Sequence, residues 1–240
     1  MDTNNNATKS NKQQPSMSKR QSDGTNPKPA TGKLLLVRHA ESEWNLLGKW
    51  TGRTDVRLTE KGRQQAAMLG DIIKDIELNH AYSSEQIRTV ETLMQLLEQA
   101  KKTGVTHERS AQLNERDYGD YTGLNKWEVL EQLGEDVFTK IRRSWDQPIP
   151  NGETLQMVHA RAVPFYKEHI LPMLLEGKNV IVVSHGNTIR ALIKYLEDIS
   201  DEGIAEVEMP FGQILLYEVN ANGKSRNKEI REISIKPPHA

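Results

Sequence analysis

The sequence contains no cysteine, which excludes disulfide bonds and thiolate metal sites and fits a reducing compartment. No apolar run approaches the ~18 residues needed to cross a bilayer. The first residues lack the apolar core of a signal peptide, so the expected location is the cytoplasm. A surplus of positive charge is also missing. Lys and Arg number 32 against 33 Asp and Glu, for a formal net charge of −1, so no global basic field argues for nucleic acid. An anionic ligand must therefore be met by local cations. His, Asp and Glu show no compact spacing of the metal-binding kind, and no internal repeat is visible. The expectation is a metal-independent chain that takes a small molecule, with no nucleic-acid or membrane partner.

With 240 residues there is ample material for a core. Residues 1–32 are mostly Asn, Lys, Gln, Ser, Thr and Pro. They carry too little apolar surface to offset their ordering entropy, and a disordered tail is expected there. Residues 33–240 read as a single domain without an internal linker.

Two buried strands dominate that domain. LLLV at 34–37 runs directly into Arg38 and His39, and NVIVVS at 179–184 runs into His185, Gly186 and Asn187. In open α/β sheets, ligands bind at the carboxyl ends of strands. Arg38 offers a fork of donors suited to phosphate oxygens. His185 stands where an amphipathic helix begins, with free backbone N–H groups that favour an anion, and Gly186 permits close backbone approach. Two histidines delivered to one sheet edge can face one phosphoryl group.

Periodicity predicts the remaining elements. Thr59 caps a helix with Ala66, Leu69, Ile72, Ile73 and Ile76 on its buried face. A strand at 81–84 leads to a helix capped by Ser83 and Gln86, with Ile87, Val90, Met94 and Leu97 inward. A short strand is expected at 105–107. Residues 125–146 read as helical, broken at Gly134, with Trp127, Leu130, Leu133, Val137, Ile141 and Trp145 apolar, and would wall the site. A long helix to residue 175 should kink at Pro164 and Pro172. A strand at 214–219, a turn at 220–223 and an edge strand at 230–235 close the chain.

The motifs resemble the histidine phosphatase superfamily, marked by RHG after the first strand and a second His later; here the triplet is RHA, with Ala40. Asn45 with Thr51 and Gly52, LNERDYG at 113–119 with GLNK at 123–126, and the pair Arg142-Arg143 narrow the resemblance to the 2,3-bisphosphoglycerate-dependent phosphoglycerate mutases. It runs in matching order from about residue 33 to 219. The resemblance implies an α/β fold, three-layer α/β/α with a mostly parallel central sheet. It implies interconversion of 3-phosphoglycerate and 2-phosphoglycerate, a step of glycolysis and gluconeogenesis. The route would be a phosphohistidine primed by 2,3-bisphosphoglycerate, without metal.

His39 is then the nucleophile, its other ring nitrogen held by a backbone carbonyl or a carboxylate such as Glu41. Arg38, Arg88 and His185 take the transferred phosphoryl oxygens, with Asn45, Gly186 and Asn187 assisting. Glu115 moves the proton of the substrate hydroxyl. Lys126, Arg142 and Arg143 hold the remaining anionic groups, and Tyr118 lines the same pocket. Three departures stand out. Ala40 is harmless unless its backbone needs a positive φ. Arg53 adds a cation to the pocket, and Phe211 interrupts the usual Pro-Thr-Gly. The alternative is a phosphatase of the same fold acting on small phosphate esters, bisphosphoglycerate included; a third reading is a non-catalytic scaffold. Whether the chain is a monomer or a homo-oligomer is not written in the sequence.

Overall fold

The run at 34–37 forms β1, Lys33–Arg38, inside a six-stranded sheet. The structure is a computed structural model that describes residues 1–2 and 31–234. The tail expected at 1–32 thus lies outside the described residues, apart from its ends. At its near end the Thr31 hydroxyl donates to the Val219 carbonyl and the Gly32 N–H to the Leu174 carbonyl. The other strands are β2, His80–Ser83; β3, Thr106–Arg109; β4, Val180–Ser184; β5, Gln213–Val219; and β6, Ser225–Glu232. Their order is β3-β2-β4-β1-β5-β6. From β3 to β1 all pairs are parallel, while β5 and β6 add antiparallel at one side.

The helices, in chain order, are α1 (Glu43–Leu46), α2 (Glu60–Asp71), α3 (Ile87–Gln99), α4 (Lys126–Leu133), α5 (Glu135–Arg143), α6 (Leu155–Phe165), α7 (Leu171–Leu175) and α8 (Gly186–Leu196). The apolar run of β1 is uninterrupted because both of its faces are covered. Leu34 and Leu36 pack with Val163, Ile170, Leu174 and Leu192 from α6 to α8. Leu35 and Val37 pack with Leu69, Ile73, Leu93 and Leu96 on the α2 and α3 side. This is the expected three-layer architecture. Among the described residues no helix is long and apolar enough to cross a membrane.

Several local expectations change. The Thr59 side chain does accept the Gly62 N–H, but α2 stops at Asp71, so Ile73 and Ile76 are buried from the turn after it. No capping box joins Ser83 and Gln86: the Ser83 hydroxyl donates to the Ser84 carbonyl, and the Gln86 N–H donates to the Ser84 hydroxyl. In α3 the inward face is Val90, Leu93, Leu96 and Leu97, and Met94 is exposed. Gly134, at φ 76°, separates α4 from α5. Each helix then sets its own phase, so Val129, Phe138 and Ile141 are buried, with Trp127, Leu133 and Val137 outside. The expected long helix to residue 175 is present: Pro164 lies inside α6, and the run continues through a π-helical turn at Tyr166–Ile170 into α7. Pro172 falls in the first turn of α7, where a missing N–H costs nothing. β3 runs Thr106–Arg109 instead of 105–107. β6 begins at Ser225, earlier than expected, because the turn is tight: the Gly223 N–H reaches the Asn220 carbonyl at φ 73°.

Candidate active site

β1 and β4 are parallel neighbours with Arg38 opposite Ser184, and the His39 N–H donates to the Ser184 carbonyl at 2.9 Å. This register, which neither strand contains alone, brings the His39 and His185 ring centroids to 5.1 Å. Both rings are buried. His39 Nδ1 lies 2.7 Å from the Ala40 carbonyl. A carbonyl only accepts, so Nδ1 carries the proton and the Nε2 lone pair is free. The backbone carbonyl is thus the orienting group. Glu41 instead receives the Thr59 hydroxyl and pairs with Lys61.

Burial, then Arg88 and Arg38, hold His39 well below the usual histidine range; burial, then Arg88 and His39, do the same for His185. Both imidazoles are neutral at pH 7. Their folded-state values are lowered, so the unfolded chain binds these protons more tightly. The linked stability is complete above pH ~6.5 and is lost as pH falls below it. His185 Nε2 lies 2.8 Å from the Ser84 hydroxyl, while its buried Nδ1 has no partner.

Arg88, at the start of α3, is 1% exposed and donates to the Gly52 and Thr54 carbonyls. Burial pushes it down to about 10. Gly52 has φ 51°, and a Cβ there would stand 3.2 Å from the Tyr118 nitrogen, so glycine suits this carbonyl-presenting turn. Arg38 donates to the Met209 carbonyl and stacks at 3.9 Å over the Phe211 ring. Buried Nε atoms of Arg38 and Arg88 are left without partners. Such orphaned donors are costly unless an anion meets them.

Two adjoining cavities open above these groups. The inner one, about 50 Å³, is lined by His39, Asn45, Thr51, Gly52 and Arg88; the outer one, about 110 Å³, by Arg142, Arg143, Gly186, Asn187 and Arg190. Arg38, Trp50, Glu115, Tyr118 and Lys126 border both. His185 lines neither, although its ring stands 5.1 Å from that of His39. The Asn45 oxygen is taken by the Ser42 N–H and hydroxyl, which leaves its NH₂ group for a ligand. A Cβ on Gly186 would sit 3.7 Å from the Arg38 guanidinium, in the space over that cation. Glu115 is fixed by its N–H to Gln86 and by the Arg116 N–H to its carboxylate. Among the described residues lining the two cavities, Glu115 is the one anionic side chain and the other charged ones are Arg and Lys, so the pair suits a small molecule with anionic groups at both ends.

Arg53 does not join them. It pairs with Glu153 at 2.8 Å and is half exposed. Ala40 has no positive φ and packs buried with Leu58 and Ala66. Arg143 lines the outer cavity but is already paired with Glu208. Sequence reasoning missed Trp50, Ser84 and Arg190. Ser84 stood in the motif at 83–84, and Arg190 was signalled by a charge inside the buried stripe of α8; for Trp50 no local signal existed. Among the described residues no group of three His, Asp or Glu that could hold a metal is found.

Lys126 is pushed down to about 8 by burial, then by Arg38 and Arg142. Its ammonium is present below that pH and lost above it, so affinity for an anionic substrate should fall as pH rises through 8. Arg stays charged there. A KM that climbs above pH 8 in the wild type and stays flat in Lys126→Arg is expected; the same climb in both would remove Lys126 from substrate binding.

A profile of the histidine phosphatase superfamily (branch 1) matches residues 34–229. A protein of Bradyrhizobium diazoefficiens named 2,3-bisphosphoglycerate-dependent phosphoglycerate mutase is 43% identical, over 81% of this chain and 95% of its own length. A protein of Lactiplantibacillus plantarum named 2,3-bisphosphoglycerate-dependent phosphoglycerate mutase 2 is 37% identical, over 82% of this chain and 97% of its own. Among solved structures, a mycobacterial glucosyl-3-phosphoglycerate phosphatase superposes with a TM-score of 0.71 at 22% identity, over 84% of this chain and 98% of that one. At that identity the likeness concerns the fold.

Proposed function

This chain belongs to the histidine phosphatase superfamily and, within it, to the 2,3-bisphosphoglycerate-dependent phosphoglycerate mutases, and on that premise we propose that it interconverts 3-phosphoglycerate and 2-phosphoglycerate through a phosphohistidine on His39. The observation that carries this reading is the pair of joined cavities, each with its own cations and with Glu115 on the shared wall. A phosphatase needs only the inner one. A molecule that must turn while bound and present either end needs both.

His39 Nε2 attacks phosphorus and the bond from phosphorus to the ester oxygen breaks, while the Nδ1–H of His39 stays on the Ala40 carbonyl. Transfer of a phosphoryl group is largely positioning and neutralisation of oxygen charge. Arg38, Arg88 and the unpartnered Nδ1 of His185 are available for those oxygens. Glu115 gives and takes the proton of the substrate oxygen, which general acid–base chemistry requires at each transfer. Lys126 and Arg142 hold the end that is not reacting. 2,3-Bisphosphoglycerate supplies the phosphoryl group that charges His39. The orphaned arginine donors fit its phosphates, and Lys126, Arg142 and Arg143 border the space for the second.

Incubation with 3-phosphoglycerate and a trace of 2,3-bisphosphoglycerate should give 2-phosphoglycerate; free phosphate alone would make the chain a phosphatase. Arg142→Ala tests the outer cavity. Losing a charge-assisted hydrogen bond of ~1.5–3 kcal/mol weakens binding about 10- to 150-fold. Mutase activity should fall by that factor and hydrolysis of a small aryl phosphate much less. Arg143→Ala should cost less than Arg142→Ala, since Glu208 already occupies that guanidinium. Equal losses in both activities would place Arg142 outside substrate holding.

A further inference from the structure

We infer that Arg190 is a positioning residue for substrate selection: its guanidinium locks the C-terminal end of α5, and so Arg142, onto the His185 helix, and it fixes how Asn187 and Tyr118 meet the outer cavity. The inference rests on the mutase reading and adds to it a residue that touches no substrate.

Arg190 is 4% exposed and has no carboxylate partner. Nε donates to the Val207 carbonyl at 2.9 Å. Nη1 donates to the Arg142 carbonyl at 3.2 Å and to Asn187 Oδ1 at 3.1 Å. Nη2 donates to the Arg143 and Ile204 carbonyls, both at 2.7 Å. All five N–H donors of a guanidinium are then spent on the protein, and none is left for a ligand although the side chain borders the outer cavity.

The Arg142 and Arg143 carbonyls belong to the last turn of α5, where a helix leaves its C=O groups unpaired and its dipole negative. A cation supplied from another helix satisfies both needs. That turn also carries Lys140, Arg142 and Arg143, so its geometry decides where Arg142 stands in the outer cavity.

The second consequence concerns a proton. Arg190 can only donate, so the Asn187 atom facing it must be the oxygen, and the Asn187 NH₂ must point to Tyr118, 2.8 Å away. The Tyr118 oxygen accepts that bond. Its own proton, with no acceptor among the described residues, is free to donate into the cavities it borders. Lysine keeps the charge at 190 but cannot span four carbonyls and an amide.

The test uses the full-length protein and Arg190→Lys, with three readouts. Hydrogen exchange of the amides at 141–144 should accelerate, the KM for 3-phosphoglycerate should rise by about tenfold or more, and hydrolysis of p-nitrophenyl phosphate should fall far less than isomerisation. Unchanged exchange with unchanged KM overturns the proposal. So does a parallel loss of both activities with faster exchange throughout the chain, which marks a merely structural role. If the wild type does not isomerise, the mutase reading fails on its own, and calorimetric affinity for 2,3-bisphosphoglycerate replaces KM in judging Arg190. If Arg190→Lys does not fold, wild-type exchange decides. The amides at 141–144 should be more protected than those ending α4 at Leu133, and equal exposure to solvent overturns the clamp.

Discussion

Replacing His39 with alanine should lower turnover of phosphoglycerate by roughly four to six orders of magnitude, the range seen when a covalent nucleophile is removed. The size follows from what remains. Arg38, Arg88 and the outer cations still bind the substrate, but the lone pair on His39 Nε2 that accepts phosphorus is gone. His185 cannot substitute, because its Nε2 is engaged with Ser84 and a Nδ1 that donates to the phosphoryl oxygens carries a proton, so neither ring nitrogen offers a lone pair. Fold should be retained, since His39 makes one side-chain hydrogen bond, to its own neighbour's carbonyl. Treatment with phosphoryl-labelled 2,3-bisphosphoglycerate should leave acid-labile label on His39 of the wild type and none on His39→Ala. Acid-stable label, or label elsewhere, would falsify the assignment.

Glu115→Gln should give the next largest loss, ~10²- to 10⁴-fold in isomerisation, as for a removed general acid–base group. The amide keeps the size of the side chain and its carbonyl can still accept the Arg116 N–H, so packing is little disturbed. What goes is the ability to give and take a proton beside both cavities. The loss should therefore depend on the leaving group. Phosphoglycerate leaves as an alkoxide and needs the proton, whereas a nitrophenolate hardly does. Comparing the two esters in wild type and variant decides the matter, and a loss of equal size for both would turn Glu115 into a structural residue. The change also removes the carboxylate that supports the charge of Arg38, Arg88 and Lys126. Lys126 should then lose its proton at lower pH in the variant.

What the sequence determined was local. Continuous apolar runs at 34–37 and 180–183, short and bounded by polar residues, read as strands covered on both faces, and each leads within two residues to a histidine, so the sheet edge carrying the chemistry was legible. Thr59 capped its helix as its spacing predicted, and Gly134 and Gly223 interrupted the chain where their backbones require. Motif resemblance added Arg88 and Glu115, whose own surroundings in sequence say nothing of burial. Tertiary structure decided the rest. That β4 inserts between β1 and β2, and so sets His185 beside His39, depends on pairings 146 and 100 residues apart in the chain, Leu34 with Val180 and His80 with Val180. No periodicity encodes such a pairing. Met94 and Trp127 faced outward because a helix's phase is fixed by the surface it packs on. Arg53 and Arg143 found carboxylates in Glu153 and Glu208, while Arg190 found four backbone carbonyls and the Asn187 amide. The free energy of a charge depends on its burial and partners, and those exist only once distant segments have met.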